Sequence, residues 1–412
     1  MGVVIIGGGQ AGLQTADSLR SGGYTGRISV IADEPGLPYQ RPPLSKDYLT
    51  PGKDPSALPL RGRSFFAEKD IELRDGVAAQ AVDRAAQTVT LTDGDVLPYR
   101  HLVFATGAAN RVLRCPGADL PGVHGLKTLA DAQTLHGALA AARDVVVVGA
   151  GFIGLEFAAA ARAHGCTVTV LEFAARPMGR VLSPEMADFF AAAHLENGVR
   201  LRLNEGIDHF EAGPGGRVSA AVSSTGARYP ADLVVAGIGV VPNDGLAAAA
   251  GLETNNGIVV DEALRTADPA VLAVGDCASF PSPHASGRIR LESVQNATDQ
   301  GRHAARTILG GPAPYADLPW FWSTQGSHRL QIAGLSAPGD QYVVNGDPGS
   351  GRFSILCFRD GWLAAVESVN SPADHMGARR LLAADHGPSP EEAAAPGFSL
   401  KSHARQLSPS RA

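Results

Sequence analysis

Two glycine triplets are the residues whose spacing promises chemistry. The stretch "VVIIGGGQAG" (3–12) carries Gly7, Gly9 and Gly12, and "VVVVGAGFIG" (145–154) carries Gly149, Gly151 and Gly154. Each follows four β-branched residues and opens a small-residue run, which predicts strand, tight turn and helix. The first glycine permits the turn, the second lets the backbone approach a pyrophosphate, and the third lets helix and strand pack closely. A phosphate then meets the free N–H groups and the dipole of a helix N-terminus. One such triplet among 49 glycines is weak evidence. Two in the same strand–turn–helix setting predict two dinucleotide sites.

Acidic side chains should grip the riboses about 20 positions further on. Glu172 ends "TVTVLE", 18 positions after Gly154. A carboxylate there holds both hydroxyls of an unphosphorylated ribose and repels a 2′-phosphate. Phe173 follows rather than an arginine, which favours NADH over NADPH, while Arg176 and Arg180 downstream keep the question open. After the first triplet, Ala32 stands opposite Glu172 and Asp33 lies one step later. Asp33 is the expected ribose ligand there, with Glu34 beside it. The alternative is a solvated turn carboxylate.

The elements that must position these residues can be read along the chain. Its 412 residues, 44% hydrophobic and 18% charged, suffice for two or three domains with sizeable cores. The net charge of −6 disfavours general nucleic-acid binding. No apolar run reaches a membrane span and the N-terminus reads as a strand rather than a signal peptide, so a cytoplasmic protein is expected. The first segment (1–112) opens with the first triplet, passes through a proline-rich loop, "EPGLPYQRPPLSKDYL", shows a hairpin signal at Asp93-Gly94 and closes with the buried strand "HLVFATG". The second (113–237) repeats strand, turn and helix. The third (238–317) holds "AVLAVGDCA" and a helix from "ESVQNATDQGRHAARTILGG". The fourth (318–400) has four strand-like runs and a terminal helix, and 401–412 reads as a flexible tail. The expected class is α/β, with two Rossmann-like domains and a C-terminal α+β domain built on a small antiparallel sheet.

Taken together, "GGGQAG", "PYQRPPLSK", "FATG", "GAGFIGLE", "VGDCA", "ESVQNA" and "PWFWSTQ" resemble the two-dinucleotide-binding-domain flavoproteins. Among these the resemblance is closest to the ferredoxin reductases of oxygenase systems. It implies an FAD domain interrupted by an NAD domain, followed by an interface domain. It also implies roles. Gly7, Gly9, Ala11, Gly12 and Asp33 would hold the adenosine and pyrophosphate of FAD. Arg41, Ala79, Thr106, Gly107 and Lys127 would belong to the same cofactor site. Asp276 would bind the ribityl chain, and Val294 would offer a backbone N–H to the pyrimidine edge. Lys46 would place a cation near the flavin ring, with an ordinary surface lysine as the alternative. Trp322 or Trp320 would line the flavin cleft, unless both are simply core aromatics. Gly149, Gly151, Ile153, Gly154, Glu172 and Gly239 would hold NAD. Glu156 would sit near the nicotinamide, against the alternative of an exposed helix carboxylate. Two departures stand out. Lys127 in "GLKTLADA" replaces the family's arginine and loses its planar fork. Thr324 in "FWSTQ" replaces an acid.

The chemistry narrows further at the cysteines. Related disulfide reductases pass electrons to a cysteine pair soon after the first strand–helix–strand unit, where this chain reads "LPYQRPPLSKDYL". Cys115, Cys166, Cys277 and Cys357 are widely separated, with no metal-ligand spacing, and read as reduced thiols. Hydride from NADH would therefore leave FAD one electron at a time to an outside acceptor. The resemblance implies a small acidic 2Fe–2S ferredoxin that feeds an oxygenase, such as a haem-thiolate cytochrome monooxygenase. Arg302, His303 and Arg306 form a candidate docking face, against the plain reading of a solvated helix surface. A monomer or weak homodimer is expected. Rubredoxin, quinone or monodehydroascorbate reductases of the same fold remain alternatives, as does a signalling flavoprotein like apoptosis-inducing factor.

Overall fold

The computed structural model describes residues 1–50 and 58–406. Two compact units divide them. The first comprises Met1–Gln40, 58–109 and Val240–Pro319; the second comprises 41–50, Asn110–Gly239 and 320–406.

The first unit is built on a seven-stranded sheet. The β-branched run before the first triplet forms the strand Gly2–Ile6, buried along its whole length. It pairs in parallel with Ile28–Ala32 on one side and Val96–Phe104 on the other. Glu72–Asp75 extends the parallel array beyond Ile28–Ala32, and Val271–Ala273 returns to pair with Val96–Phe104. Such strands are covered on both faces, which is why they read as continuous apolar runs. The hairpin signal at Asp93-Gly94 joins Thr88–Leu91 antiparallel to Val96–Phe104, with Gly94 at φ +91°. Helices Gln10–Ser21 and Val294–Ile308 pack together where a Cβ on Gly301 would lie 2.8 Å from the Ala11 carbonyl oxygen.

The second unit repeats the theme. Arg200–Leu203, Thr167–Glu172, Asp144–Val148, Leu233–Ala236 and Val123–Gly125 form a five-stranded parallel sheet in that order. A meander of Ile207–Ala212, Val218–Ser223 and Arg228–Pro230, not foreseen from the sequence, is inserted before its last central strand. The C-terminal sheet is antiparallel, in the order Trp320–Gln325, His328–Gly334, Trp362–Val369, Arg352–Arg359, Gln341–Asp347. Helix Pro372–Ala383 packs on it through Ala378 and Leu381.

Three features differ from the sequence reading. The "RPP" stretch is not merely loop: prolines at the first helical positions start a short 3-10 turn, Pro42–Ser45, and a second, Asp47–Leu49, follows it. These turns and the C-terminal sheet fall in the second compact unit, together with Asn110–Gly239. The tail assigned to 401–412 begins too early. Leu400–Gln406 is a helix that buries Leu400 and Ala404, and 407–412 of this tail lie outside the described residues.

Candidate functional site

The first unit presents a phosphate-shaped cradle at the carboxyl ends of its parallel strands. Gly7 has φ +122°, and a Cβ there would lie 2.1 Å from the Ala105 carbonyl oxygen. A Cβ on Gly12 would lie 2.0 Å from the Gly7 carbonyl oxygen. Those two glycines are required by backbone contact. Gly9 differs, because a Cβ there meets nothing within 4 Å. It caps helix Gln10–Ser21 with no side-chain hydrogen bond, and the first turn carries no acid. The helix therefore offers its first N–H groups to open space, which suits an anionic pyrophosphate. Ala11 is buried, and its Cβ packs where a Gly275 Cβ would come within 3.0 Å, leaving its backbone N–H as its useful group.

Around this cradle lie the other residues expected to hold FAD from the first unit. Asp33 is exposed at the end of Ile28–Ala32 and accepts the Glu34 N–H at 3.0 Å. The neighbouring Glu34 carboxylate is taken by the Tyr39 hydroxyl, which favours Asp33 of the two. Thr106 and Gly107 are clamped by Asn243, a residue the sequence reading missed. The Thr106 hydroxyl donates to the Asn243 carbonyl at 2.6 Å, and the Asn243 amide donates to the Thr106 carbonyl at 2.9 Å. Asp276 sits in the turn Gly275–Cys277, whose Gly275 N–H donates to the buried Gln300 side chain at 2.7 Å. Val294 is the first residue of its helix, capped by Ser293, whose hydroxyl accepts the Asn296 N–H at 3.0 Å. The Val294 N–H thus belongs to the helix start, where no carbonyl of the helix itself can serve it. Ala79 is half-buried at the start of Ala79–Asp83 and faces Leu91 across the antiparallel pair.

The second unit holds a matching cradle. Gly149 has φ +101°, a Gly154 Cβ would lie 2.2 Å from the Gly149 carbonyl oxygen, and a Gly151 Cβ finds only the Gly237 oxygen at 3.8 Å. Gly151 caps helix Phe152–Ala163 without a side-chain bond. Glu172 ends its strand and turns back on this box, accepting the Ala150 N–H at 2.6 Å and the Ala174 N–H at 2.8 Å. Ile153 is 38% exposed on the first helical turn, and Phe173 is 84% exposed beside Glu172. Gly239 has φ +93°, with an Arg180 nitrogen 3.8 Å from where its Cβ would be.

Lys46 and Glu156, 110 positions apart, meet in the same unit. Lys46 Nζ lies 2.7 Å from Glu156 Oε2. Glu156 is only 5% exposed, so the plain alternative of a solvated helix carboxylate does not hold. Its carboxylate also accepts the Ser45 hydroxyl at 2.5 Å and the Ser323 hydroxyl at 2.6 Å. Neither serine was singled out in the sequence, since nothing about an isolated serine marks it. Arg41 donates to the Lys127 carbonyl at 2.9 Å, and the Lys127 N–H donates to Asp131 at 2.9 Å at the start of helix Leu129–Leu139. Trp320 and Trp322 lie on Trp320–Gln325 with ring centroids 5.6 Å apart, and the Arg379 guanidinium stands 4.4 Å over the Trp320 ring.

The candidate docking face is corrected. His303 is buried and bonds the Ala313 carbonyl at 2.8 Å, and burial holds its pKa below the usual imidazole value. Arg302 pairs with Asp299 at 3.2 Å. Arg302 and Arg306, at i and i+4, stay exposed on one helix face, so it is His303 that leaves the face. All four cysteines are free thiols, three of them buried. Burial pushes the Cys277 and Cys357 thiols well above the ordinary range.

Two Rossmann-type units, each with a cradle open to a pyrophosphate, define a protein that handles two dinucleotides. Residues 1–301 match the family described as pyridine nucleotide-disulphide oxidoreductase, and residues 320–404 match the reductase C-terminal domain. The chain belongs to this family of FAD- and NAD(P)H-dependent oxidoreductases. It is 51% identical to rhodocoxin reductase of Rhodococcus erythropolis, over 97% of this chain and 94% of that one. It is similar to the crystal structure of the ferredoxin reductase for the CYP199A2 system from Rhodopseudomonas palustris, with a TM-score of 0.95, 47% identity and coverage of 98% and 99%. It is also similar to the covalent putidaredoxin reductase–putidaredoxin complex, with a TM-score of 0.94, 37% identity and coverage of 98% of both chains.

Proposed function

We propose that this enzyme takes hydride from NADH onto FAD and passes the electrons singly to a 2Fe–2S ferredoxin that feeds an oxygenase. The observation that carries the reading is the pair of cradles open at Gly9 and Gly151 in one chain whose four cysteines are free thiols. The open backbone suits two pyrophosphates, and the cysteines offer no formed disulfide relay. FAD, when bound, supplies the chemistry: it accepts two electrons together and releases them one at a time.

The chain's own residues bind and orient. In the first unit, Gly7, Gly9, Ala11, Gly12 and Asp33 serve the adenosine and pyrophosphate of FAD. Thr106, Gly107, Asp276 and Val294 serve the rest. In the second, Gly149, Gly151, Gly154 and Glu172 serve NADH. Lys46 supplies a cation for the charge that arrives with hydride, and Glu156 fixes that lysine. The resemblance to ferredoxin reductases and the distances around Glu156 support these roles. Glu172 supports NADH over NADPH, because its carboxylate is held at the box by two backbone N–H groups.

Anaerobic stopped-flow reduction by NADH and by NADPH, followed by mixing with purified redoxins, tests the reading. Fast flavin reduction with NADH, and cytochrome c reduction that requires added 2Fe–2S ferredoxin, is the expected result. Equal rates with both nucleotides sink the Glu172 argument. Fast direct reduction of a quinone, or turnover with rubredoxin but not ferredoxin, replaces the assigned acceptor.

A further inference from the structure

Glu156 is held from the C-terminal sheet by a chain of hydrogen bonds that runs in one direction. Ser323 Oγ donates to Glu156 Oε1 at 2.6 Å. Gln325 Nε2 donates to Ser323 Oγ at 3.3 Å and to Met178 Sδ at 3.3 Å. His194 Nε2 lies 2.8 Å from Gln325 Oε1. Ser323, Gln325 and His194 are 0%, 3% and 4% exposed, so each bond forms away from water.

The direction follows from what each atom can do. A thioether sulfur only accepts, so the Gln325 end facing Met178 is its NH2 group. The amide oxygen then faces His194, which must donate from Nε2. Burial holds the His194 pKa below the usual imidazole value, so the ring is neutral and its one proton sits on Nε2. Nδ1 is left as a bare lone pair with no partner. The opposite tautomer would bury an unpaired N–H instead. With its lone pair engaged by Gln325, the Ser323 hydroxyl is left to donate to Glu156.

We infer that Ser323 is a positioning residue for the Lys46–Glu156 pair, its hydroxyl held as a donor by Gln325 and His194. Three donors converge on one buried carboxylate: Lys46 and Ser45 on Oε2, Ser323 on Oε1. A serine hydroxyl free to rotate could accept as readily as donate; the relay removes that choice. It thereby fixes the Glu156 carboxylate, and with it Lys46 Nζ, in one place. The charged or titratable groups around the relay are Lys46, Glu156 and His194, with His328 beyond His194. This inference rests on the role proposed for Lys46 and Glu156.

The experiment is stopped-flow flavin reduction over a series of NADH concentrations for Ser323→Ala, Gln325→Leu and Glu156→Gln, each as FAD-loaded protein with bound-flavin absorbance equal to the parent. Ser323→Ala should slow flavin reduction roughly tenfold, the value of one hydrogen bond to a charged group, with the NADH dissociation constant unchanged. Gln325→Leu should slow it by less, again with the NADH dissociation constant unchanged, and Ser323→Thr should restore the rate. A slow Glu156→Gln combined with parent-like rates for Ser323→Ala and Gln325→Leu overturns the relay alone. Parent-like reduction by Glu156→Gln overturns the role of Glu156 and the relay with it.

Discussion

Lys46 Nζ stands 2.7 Å from Glu156 Oε2, with the two side chains 19% and 4% exposed. A pair this buried holds the fold less by its own attraction than by the penalty of leaving either charge alone. Lys46→Met strands Glu156 among hydroxyls and should lower unfolding free energy by about 3 kcal/mol. The double variant Lys46→Met/Glu156→Leu should recover most of that stability in urea titration while flavin reduction stays slow. Recovery of both stability and rate would remove the pair from the chemistry.

The three glycines of the first box separate packing from binding. A Gly12 Cβ would collide with the Gly7 carbonyl oxygen at 2.0 Å, whereas a Gly9 Cβ meets open space. Gly12→Ala should therefore destabilise the apoprotein. Gly9→Ala should leave the apoprotein's thermal midpoint unchanged and still weaken FAD retention, since the methyl occupies the approach of the pyrophosphate. Calorimetry of the apoproteins and flavin content after gel filtration distinguish the two.

Glu172 accepts from both Ala150 and Ala174 N–H groups. Glu172→Gln keeps an acceptor but removes the negative charge. The ratio of kcat/KM for NADH to that for NADPH should then fall roughly tenfold, chiefly through KM for NADPH. An unchanged ratio would move nucleotide selection to Arg176 or Arg180.

Glu367 is fully buried and accepts the Ser183 N–H at 2.9 Å and the Ser183 hydroxyl at 2.6 Å. Burial pushes its pKa up from 4.5 to about 7. The folded state thus binds a proton that the unfolded state has released, so this carboxyl's contribution falls as pH rises from 4.5 to about 7 and is level above. Glu367→Gln should abolish that slope. The variant should gain on the parent by up to about 3 kcal/mol between pH 4.5 and pH 8, read from denaturation at each pH. A constant difference across that range would assign Glu367 an unperturbed pKa.

Much of the architecture was legible because backbone periodicity is local. Val3–Ile6 and Val145–Val148 announce buried parallel strands, and Glu172 ends its strand where the spacing placed it. Of the docking face only His303 was misread, because helix packing took it inward while Arg302 and Arg306 stayed exposed. The helix at Leu400–Gln406 was missed because its burial comes from Ala378 and Leu381 of a different helix, not from its own pattern.

By itself, the sequence determined that two glycine boxes start two strand–turn–helix units and that an acid follows each. Only the tertiary structure decided which side chains share a site. Glu156 meets Ser323 across 167 positions, Thr106 meets Asn243 across 137, and Ser183 meets Glu367 across 184. A glycine is marked locally by the backbone it must adopt, whereas a serine or glutamate acquires its role only from the partner that folding brings within hydrogen-bond reach.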